Sequence, residues 1–331
     1  MAGRASLYRP LLLAALILAF CVVGLGAYVR LSDAGLGCPD WPGCYGHLVG
    51  VPEAAHERAA AAAVFPGKPV EPAKAWKEMA HRYLAGSLGL LILALCVAAW
   101  RRGRERRPWL ETALVGLVGF QAALGMWTVT LLLKPAIVTA HLLGGMATWA
   151  ILVTLALREF APVACTKAPV AHRRWAALAV LVVFAQIALG GWVSSNYAAL
   201  ACPDLPMCQG EWLPPADFAH AFTLTRELGE TASGALLPAS ALTAIHLVHR
   251  AGTALVVVVV GGLAWWLWHG EGRRPGGLLA GALCIQVALG VGNVLLQLPL
   301  PLAVAHNLGA AILLASCLLV HRHLAGGFVR R

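Results

Sequence analysis

An all-helical integral membrane protein, eight transmembrane helices in two similar halves, is the fold this sequence predicts. Three observations carry that expectation: a composition too apolar for water, eight separate runs long enough to span a bilayer, and landmarks that repeat at one spacing. Of 331 residues, 60% are hydrophobic and 12% charged, where a soluble domain carries about 25% charged residues. The mean hydropathy is +0.74. Crossing the hydrocarbon core takes about 20 apolar residues. Runs that meet this are expected at approximately 8–30, 78–100, 109–132, 136–157, 175–195, 242–268, 277–298 and 302–320. The first, LLLAALILAFCVVGLGAYV, is too long for a cleaved signal and leads straight into a repeat landmark, so it is expected to stay as a helix.

Orientation follows from the basic residues. The N-terminal tail, RRGRERR (101–107), the stretches 158–174 and 269–276 and the C-terminal tail fall on one side of an eight-span arrangement. They hold 16 of the 25 Lys and Arg residues. The other side holds two long loops, 31–77 and 196–241, and with Glu78 included 11 of the 15 Asp and Glu residues. By the positive-inside rule, a multi-pass protein of the cell (plasma) membrane is expected, both termini cytoplasmic and the long loops outward. The net charge of +10 is therefore topology, not a nucleic-acid surface: the cations flank spans, and no soluble domain presents them.

The repeat sets the domain expectation, residues 1–165 and 166–331. His81 and His249 each open a His-Arg pair, 168 apart. His141 and His306 each follow Ala, 165 apart, and Gln121 of QAALG recurs at the same offset as Gln286 of QVALG. Cys38 and Cys44 in CPDWPGC return 164 residues later as Cys202 and Cys208 in CPDLPMC. Each copy thus carries two histidines and one cysteine pair, the layout of a chain that holds two similar cofactors. The cysteine pairs fall in the outward loops, where disulfides persist. The C-x5-C spacing suits a disulfide or redox-active dithiol, and is wider than structural zinc sites use. Cys21, Cys96, Cys165, Cys284 and Cys317 have no repeat partner and read as small buried hydrophobes.

Of the twelve histidines, seven (His47, His56, His172, His220, His269, His321 and His323) sit in loops or at interfaces and read as ordinary polar groups. Five lie in apolar segments: His81, His141, His246, His249 and His306. An ionisable group there is expensive and marks a pathway or a ligand site. Two imidazoles from two helices, without carboxylate or thiolate partners, suit an iron porphyrin held on both axial faces. Zinc wants four ligands; copper accepts His-rich sites, but each half offers only two. Small residues that admit a ring follow the histidines, in LAGSLGLL and LLGGMAT, then RAGTALVVV and NLGAA. Arg82 and Arg250 stand where propionates could meet a guanidinium, or where arginines snorkel to headgroups. Arg30 has no counterpart in WVSS (192–195) and reads as the more site-specific candidate for propionate contact.

His246 stands three residues before His249, so both face one way on a helix. Its counterpart, three residues before His81, is Glu78. His249 matches the other half's ligand position, so His246 is expected beside the ligand and not on the iron. The Glu78/His246 difference is the main asymmetry between the halves. Glu78 reads either as an interfacial charge paired with Lys77 or as the carboxylate for proton-coupled chemistry on one porphyrin.

VRLSDAGLGCPDWPGC (29–44), EMAHR (78–82), TAH (139–141), CPDLPMC (202–208), HR (249–250) and AHN (305–307) together resemble the haem A synthases, specifically bacterial forms with both cysteine pairs. The resemblance spans nearly the whole chain. It implies two pseudosymmetric four-helix bundles. It further implies oxidation of the C8 methyl of haem O to a formyl group, giving haem A for cytochrome oxidase. The substrate iron would be held by His81 and His141, with Glu78 as catalytic carboxylate. Haem b would be the cofactor, on His249 and His306, and Cys38–Cys44 and Cys202–Cys208 would be disulfides. Contact with haem O synthase and oxidase assembly proteins would follow, and the bilayer is the remaining partner. The Ala- and Pro-rich insert at 54–73 has no evident function. A dihaem b electron carrier would also need four histidines, but gives no reason for Glu78 in one half only. A haem transporter would be expected to show a single site or a tryptophan-rich outward surface.

Overall fold

The computed structural model describes residues 7–102, 107–160, 168–270 and 272–326. These fold into ten α-helices and one short 3-10 turn, Ala198–Leu200. Among the described residues there are no strands, only three isolated β-bridges. Eight helices are long and apolar enough to cross a membrane: α1 (Tyr8–Leu31), α3 (Pro72–Arg101), α4 (Trp109–Thr130), α5 (Pro135–Phe160), α6 (Val170–Ser195), α8 (Ala239–His269), α9 (Arg273–Leu295) and α10 (Leu300–Ala325). Two short helices, α2 (Ala55–Val64) and α7 (Phe218–Ala221), lie in the long loops. The protein is a multi-pass membrane protein. Cys165 falls outside the described residues.

Prolines set several starts. Pro72 and Pro135 are the first residues of α3 and α5, and Pro299 precedes α10. At a first turn the missing N–H costs nothing and the fixed φ suits the helix. At 30 and 31 residues, α3 and α8 run about 45 Å at 1.5 Å per residue, past a hydrocarbon core of about 30 Å. Both begin before the expected apolar runs, and Glu78 and His246 stand seven and eight residues into the helices.

The chain divides into two compact units, one ending at Thr148 and the other starting at Trp149. In the first, α1 packs on α3 and α3 on α4. In the second, α8 packs on both α6 and α9, and α10 packs on α9 and α6. Local backbone conformation recurs along with the sequence landmarks. Among the described residues, eight non-glycine residues have positive φ: Asp33 and Tyr197, Tyr45 and Gln209, Leu132 and Gln297, Leu133 and Leu298. Each pair is separated by 164 or 165 residues. The two leucine and Gln-Leu pairs close the α4–α5 and α9–α10 turns. There Leu133 N donates to Thr128 O at 2.8 Å and Leu298 N to Asn293 O at 2.7 Å. Left-handed backbone is uncommon for residues other than glycine, and here these backbone hydrogen bonds close the turns.

The insert at 54–73 has a structure of its own. Alanine is the best helix former, and HERAAAAAV is organised as α2, with Glu57 accepting the amides of Glu53 and Ala54, both at 2.9 Å. Ala61 of α2 is buried in one cluster with Cys38, Cys44, Tyr45, Val51, Ala75 and Met79, and Phe65 packs on it. The insert is thus a cover over the CPDWPGC loop.

Candidate haem-binding sites

Each unit holds its cysteine loop with one design. Cys38 bonds Cys44 and Cys202 bonds Cys208, with S–S distances of 2.03 and 2.00 Å. Asp40 accepts from the amides of Tyr45 and Gly46 at 2.6 and 2.8 Å, and Asp204 from Gln209 and Gly210 at the same distances. The Gly210 amide, helped by Gln209 and the charge of Arg250, holds the Asp204 carboxyl below its usual range. Trp41–Pro42 and Leu205–Pro206 are cis.

The arginines after the histidines close these loops onto their helices. Arg82 Nη1 donates to the carbonyls of Asp40, Pro42 and Gly43 at 2.9, 3.2 and 2.5 Å, and its Nη2 pairs with Glu78. Arg250 donates to Met207, Cys202 and Asp204 at 2.9, 2.9 and 2.8 Å. Both end groups are therefore engaged by loop carbonyls, neither reading (propionate contact or snorkelling) having included this. Arg30 forms an ion pair with Asp33 at 3.8 Å.

Glu78 is buried, and one oxygen accepts from the amide of Cys38 at 2.9 Å. Lys77 is not its partner: it lies over the Tyr28 ring, 5.0 Å from the centroid, and Arg82 takes the pairing instead. His246, also buried, accepts from the amide of Cys202 at 3.3 Å. The two residues that differ between the halves thus share one task, holding the first cysteine of a disulfide loop against a helix.

The four remaining span histidines are only part-buried. His81 and His141 are near enough to interact electrostatically, as are His249 and His306. Each ring meets a glycine on a neighbouring helix. A Cβ at Gly26 would stand 2.9 Å from His81, at Gly125 3.4 Å from His141, at Gly190 3.3 Å from His249 and at Gly290 3.0 Å from His306. Contacts that short leave no room for a side chain at Gly26 or Gly290 unless the imidazole moves.

Among the described residues, no three or more His, Cys, Asp or Glu side chains lie together to hold a metal ion. Each unit offers a metal a pair of imidazoles and no more. A porphyrin iron, whose equatorial ligands come from the ring, asks for no more. Nδ1 of His81, His141 and His306 is buried without a hydrogen-bond partner, a cost that axial ligation through these rings would help to justify. The residues fit such a group.

Three features lay outside the sequence expectations. Gln186 opens a third QxALG, in α6, and its Nε2 donates to the His249 carbonyl at 2.9 Å; comparing helices within a half would have found it. The four glycines follow from the same comparison, as the last residue of GLG or ALG. Arg226, fully buried in the second long loop, binds Asn196 and lies 5.6 Å from the centroid of the Trp192 ring; burial lowers its pKa. It has no repeat partner to flag it. Of the unpaired cysteines, Cys96 and Cys317 are buried, whereas Cys21 and Cys284 are exposed on helix surfaces.

The chain is 42% identical to a haem A synthase of Shewanella oneidensis over 93% of its own length and 94% of the relative's. It is 29% identical to a haem A synthase of a Caulobacter species, covering 91% of each. A haem A synthase of Halalkalibacterium halodurans is 28% identical, covering 87% of each. Residues 9–318 match the family model described as cytochrome oxidase assembly protein, COX15-CtaA. The chain therefore belongs to the cytochrome oxidase assembly protein family, COX15-CtaA.

Proposed function

We propose that this protein is a haem A synthase, oxidising the C8 methyl of haem O to a formyl group for cytochrome oxidase assembly. The observation that carries the reading is one pair of span histidines in each unit, each ring set against a glycine. The names of the relatives support it. On this reading His81 and His141 hold the substrate iron, and His249 and His306 hold a resident haem b. Haem b in that place would supply an acceptor for the electrons leaving the methyl group.

The chain's own residues supply the rest. Taking a methyl group to a formyl group with water as the source of the oxygen atom releases protons as well as electrons, and Glu78 is a buried carboxylate one helical turn from His81, on the same face. Arg82 and the Cys38 amide hold it in place. A proton taken by Glu78 would weaken its pairing with Arg82. The positive-inside distribution supports cytoplasmic termini and outward loops, which sets Glu78 near the outward surface. Haem O synthase and oxidase assembly proteins are the expected partners.

A second reading, a dihaem electron carrier, is favoured by one observation: Glu78 and His246 make equivalent contacts to a cysteine amide, so the substitution has a structural explanation too. Extraction of pigments from purified protein separates the readings. Haem O or haem A beside haem b supports the enzyme; haem b alone, at two equivalents, supports the carrier.

A further inference from the structure

Four helix pairs each set one glycine against one histidine, and three share a second feature that the fourth lacks. Gln121, Gln186 and Gln286 each stand four residues before the glycine, in QxALG. Their side chains reach the partner helix at its histidine. Gln121 Nε2 donates to the His141 carbonyl at 2.9 Å. Gln186 Nε2 donates to the His249 carbonyl and to the Thr253 hydroxyl, both at 2.9 Å. Gln286 Nε2 lies 3.4 Å from His306 Nε2, a contact to the ring and not to the helix backbone, so at His306 the clasp is the seating of the side chain on the partner helix.

The amide oxygens lie against Gly144, Gly252 and Gly309, each three residues after its histidine, where a Cβ would overlap them. A glutamine from one helix is thus seated on a glycine of the next, beside the ligand. In the α1–α3 pair the Gly26–His81 contact is present, but Val22 stands four residues before Gly26 and Leu84 three after His81. Valine donates no hydrogen bond, and leucine has the Cβ that the glycine seat lacks.

We propose that the glutamine–glycine clasp makes His141, His249 and His306 standing ligands, and that its absence leaves His81 as the ligand that lets go when haem enters and leaves. The three glutamines are positioning residues. The site with two clasped histidines suits a resident haem; the site with one clasped and one free of the clasp suits a guest. This rests on the reading that the first unit takes the substrate.

The test is the rate at which purified, detergent-solubilised full-length protein gives up haem to excess apomyoglobin, with the low-spin fraction at each site followed by absorbance. Val22→Gln combined with Leu84→Gly installs a fourth clasp and should slow release from the first site about tenfold, leaving the second unchanged. Tenfold corresponds to about 1.4 kcal/mol, within reach of an interhelical hydrogen bond in a bilayer. Gln121→Leu removes a clasp without asking the fold to accept a new polar group. It should speed first-site release about tenfold and lower that site's low-spin fraction, and Gln186→Leu should do the same at the second site only. First-site release within twofold of the parent in either the double variant or Gln121→Leu overturns the proposal. Pigment extraction from the same preparations reports separately on the functional reading: haem O and haem A absent from the first site sinks that reading, while the release rates still decide the clasp.

Discussion

Glu78 has two jobs to reconcile. It anchors the Cys38 amide and pairs with Arg82, and it is the buried carboxylate nearest a proposed substrate ligand. Glu78→Gln separates them, because the amide oxygen can still accept from Cys38 while the charge is gone. Both haems should be retained, haem O should accumulate in the first site, and haem A formation should fall by roughly a hundredfold to ten-thousandfold, the usual worth of a positioned acid–base group. Haem A made at the parent rate in this variant ends the catalytic role. The corresponding pair in the second unit is tested by spectra of the purified protein. His249→Ala should remove the resident haem, since a bis-imidazole iron loses a bond that nothing adjacent replaces. His246→Ala should keep it, losing only the hold on Cys202. The reverse pattern would move the ligand by one turn. The sequence distinguished these two histidines because only one of them repeats. It was silent on what Glu78 and His246 share, since a carboxylate and an imidazole accepting the same backbone N–H bear no resemblance as letters.

Among the elements, the helices were legible and their contacts were not. Apolar runs ended by prolines and charges placed the spans to within a few residues, except where α3 starts at Pro72, six residues before its apolar run. Hydropathy cannot see such an extension, because the added turn is polar. α2 was missed for the opposite reason: a run of alanines has strong helix propensity but no periodic apolar face to announce it. Glycine contacts are harder still, since a glycine in a span has many uses. Gly290 gives a direct check. A Cβ there would already lie 3.0 Å from His306, so Gly290→Leu should displace that imidazole and convert the second haem from low to high spin, or lose it. By contrast Gly281, with nothing near its Cβ position, should accept Ala with no spectral change. The loops yield a chemical test: alkylation without reductant followed by mass spectrometry should find Cys38, Cys44, Cys202 and Cys208 blocked, with Cys21, Cys96, Cys284 and Cys317 reduced. Free thiols at Cys38 and Cys44 would indicate a dithiol working form.

At the scale of the molecule, the signal in the sequence is distributive: no single motif suggests an orientation, but 16 of 25 cations gathered in short segments together do. Short basic loops resist translocation, so on the proposed orientation they stay in the cytoplasm and the long loops between them go out. Disulfides in the cysteine loops fit the same proposed assignment, since such bonds persist in oxidising compartments. This makes orientation the global property most open to a clean test: the four cysteines in disulfides add no background for a thiol reagent, and serine at Cys21, Cys165 and Cys284 removes the thiols that would. Leu48 and Leu213 are 74% and 89% exposed in the two long loops, and Val170 is 58% exposed at the start of α6. Each can be replaced by cysteine in turn. In intact spheroplasts a membrane-impermeant maleimide should label Leu48→Cys and Leu213→Cys at once and reach Val170→Cys only after lysis. Labelling in the opposite order would invert the protein and place Glu78 near the cytoplasm. Equal labelling of all three before lysis would break the eight-span arrangement itself, because an odd number of crossings separates Val170 from Leu213 only if α6 traverses the bilayer.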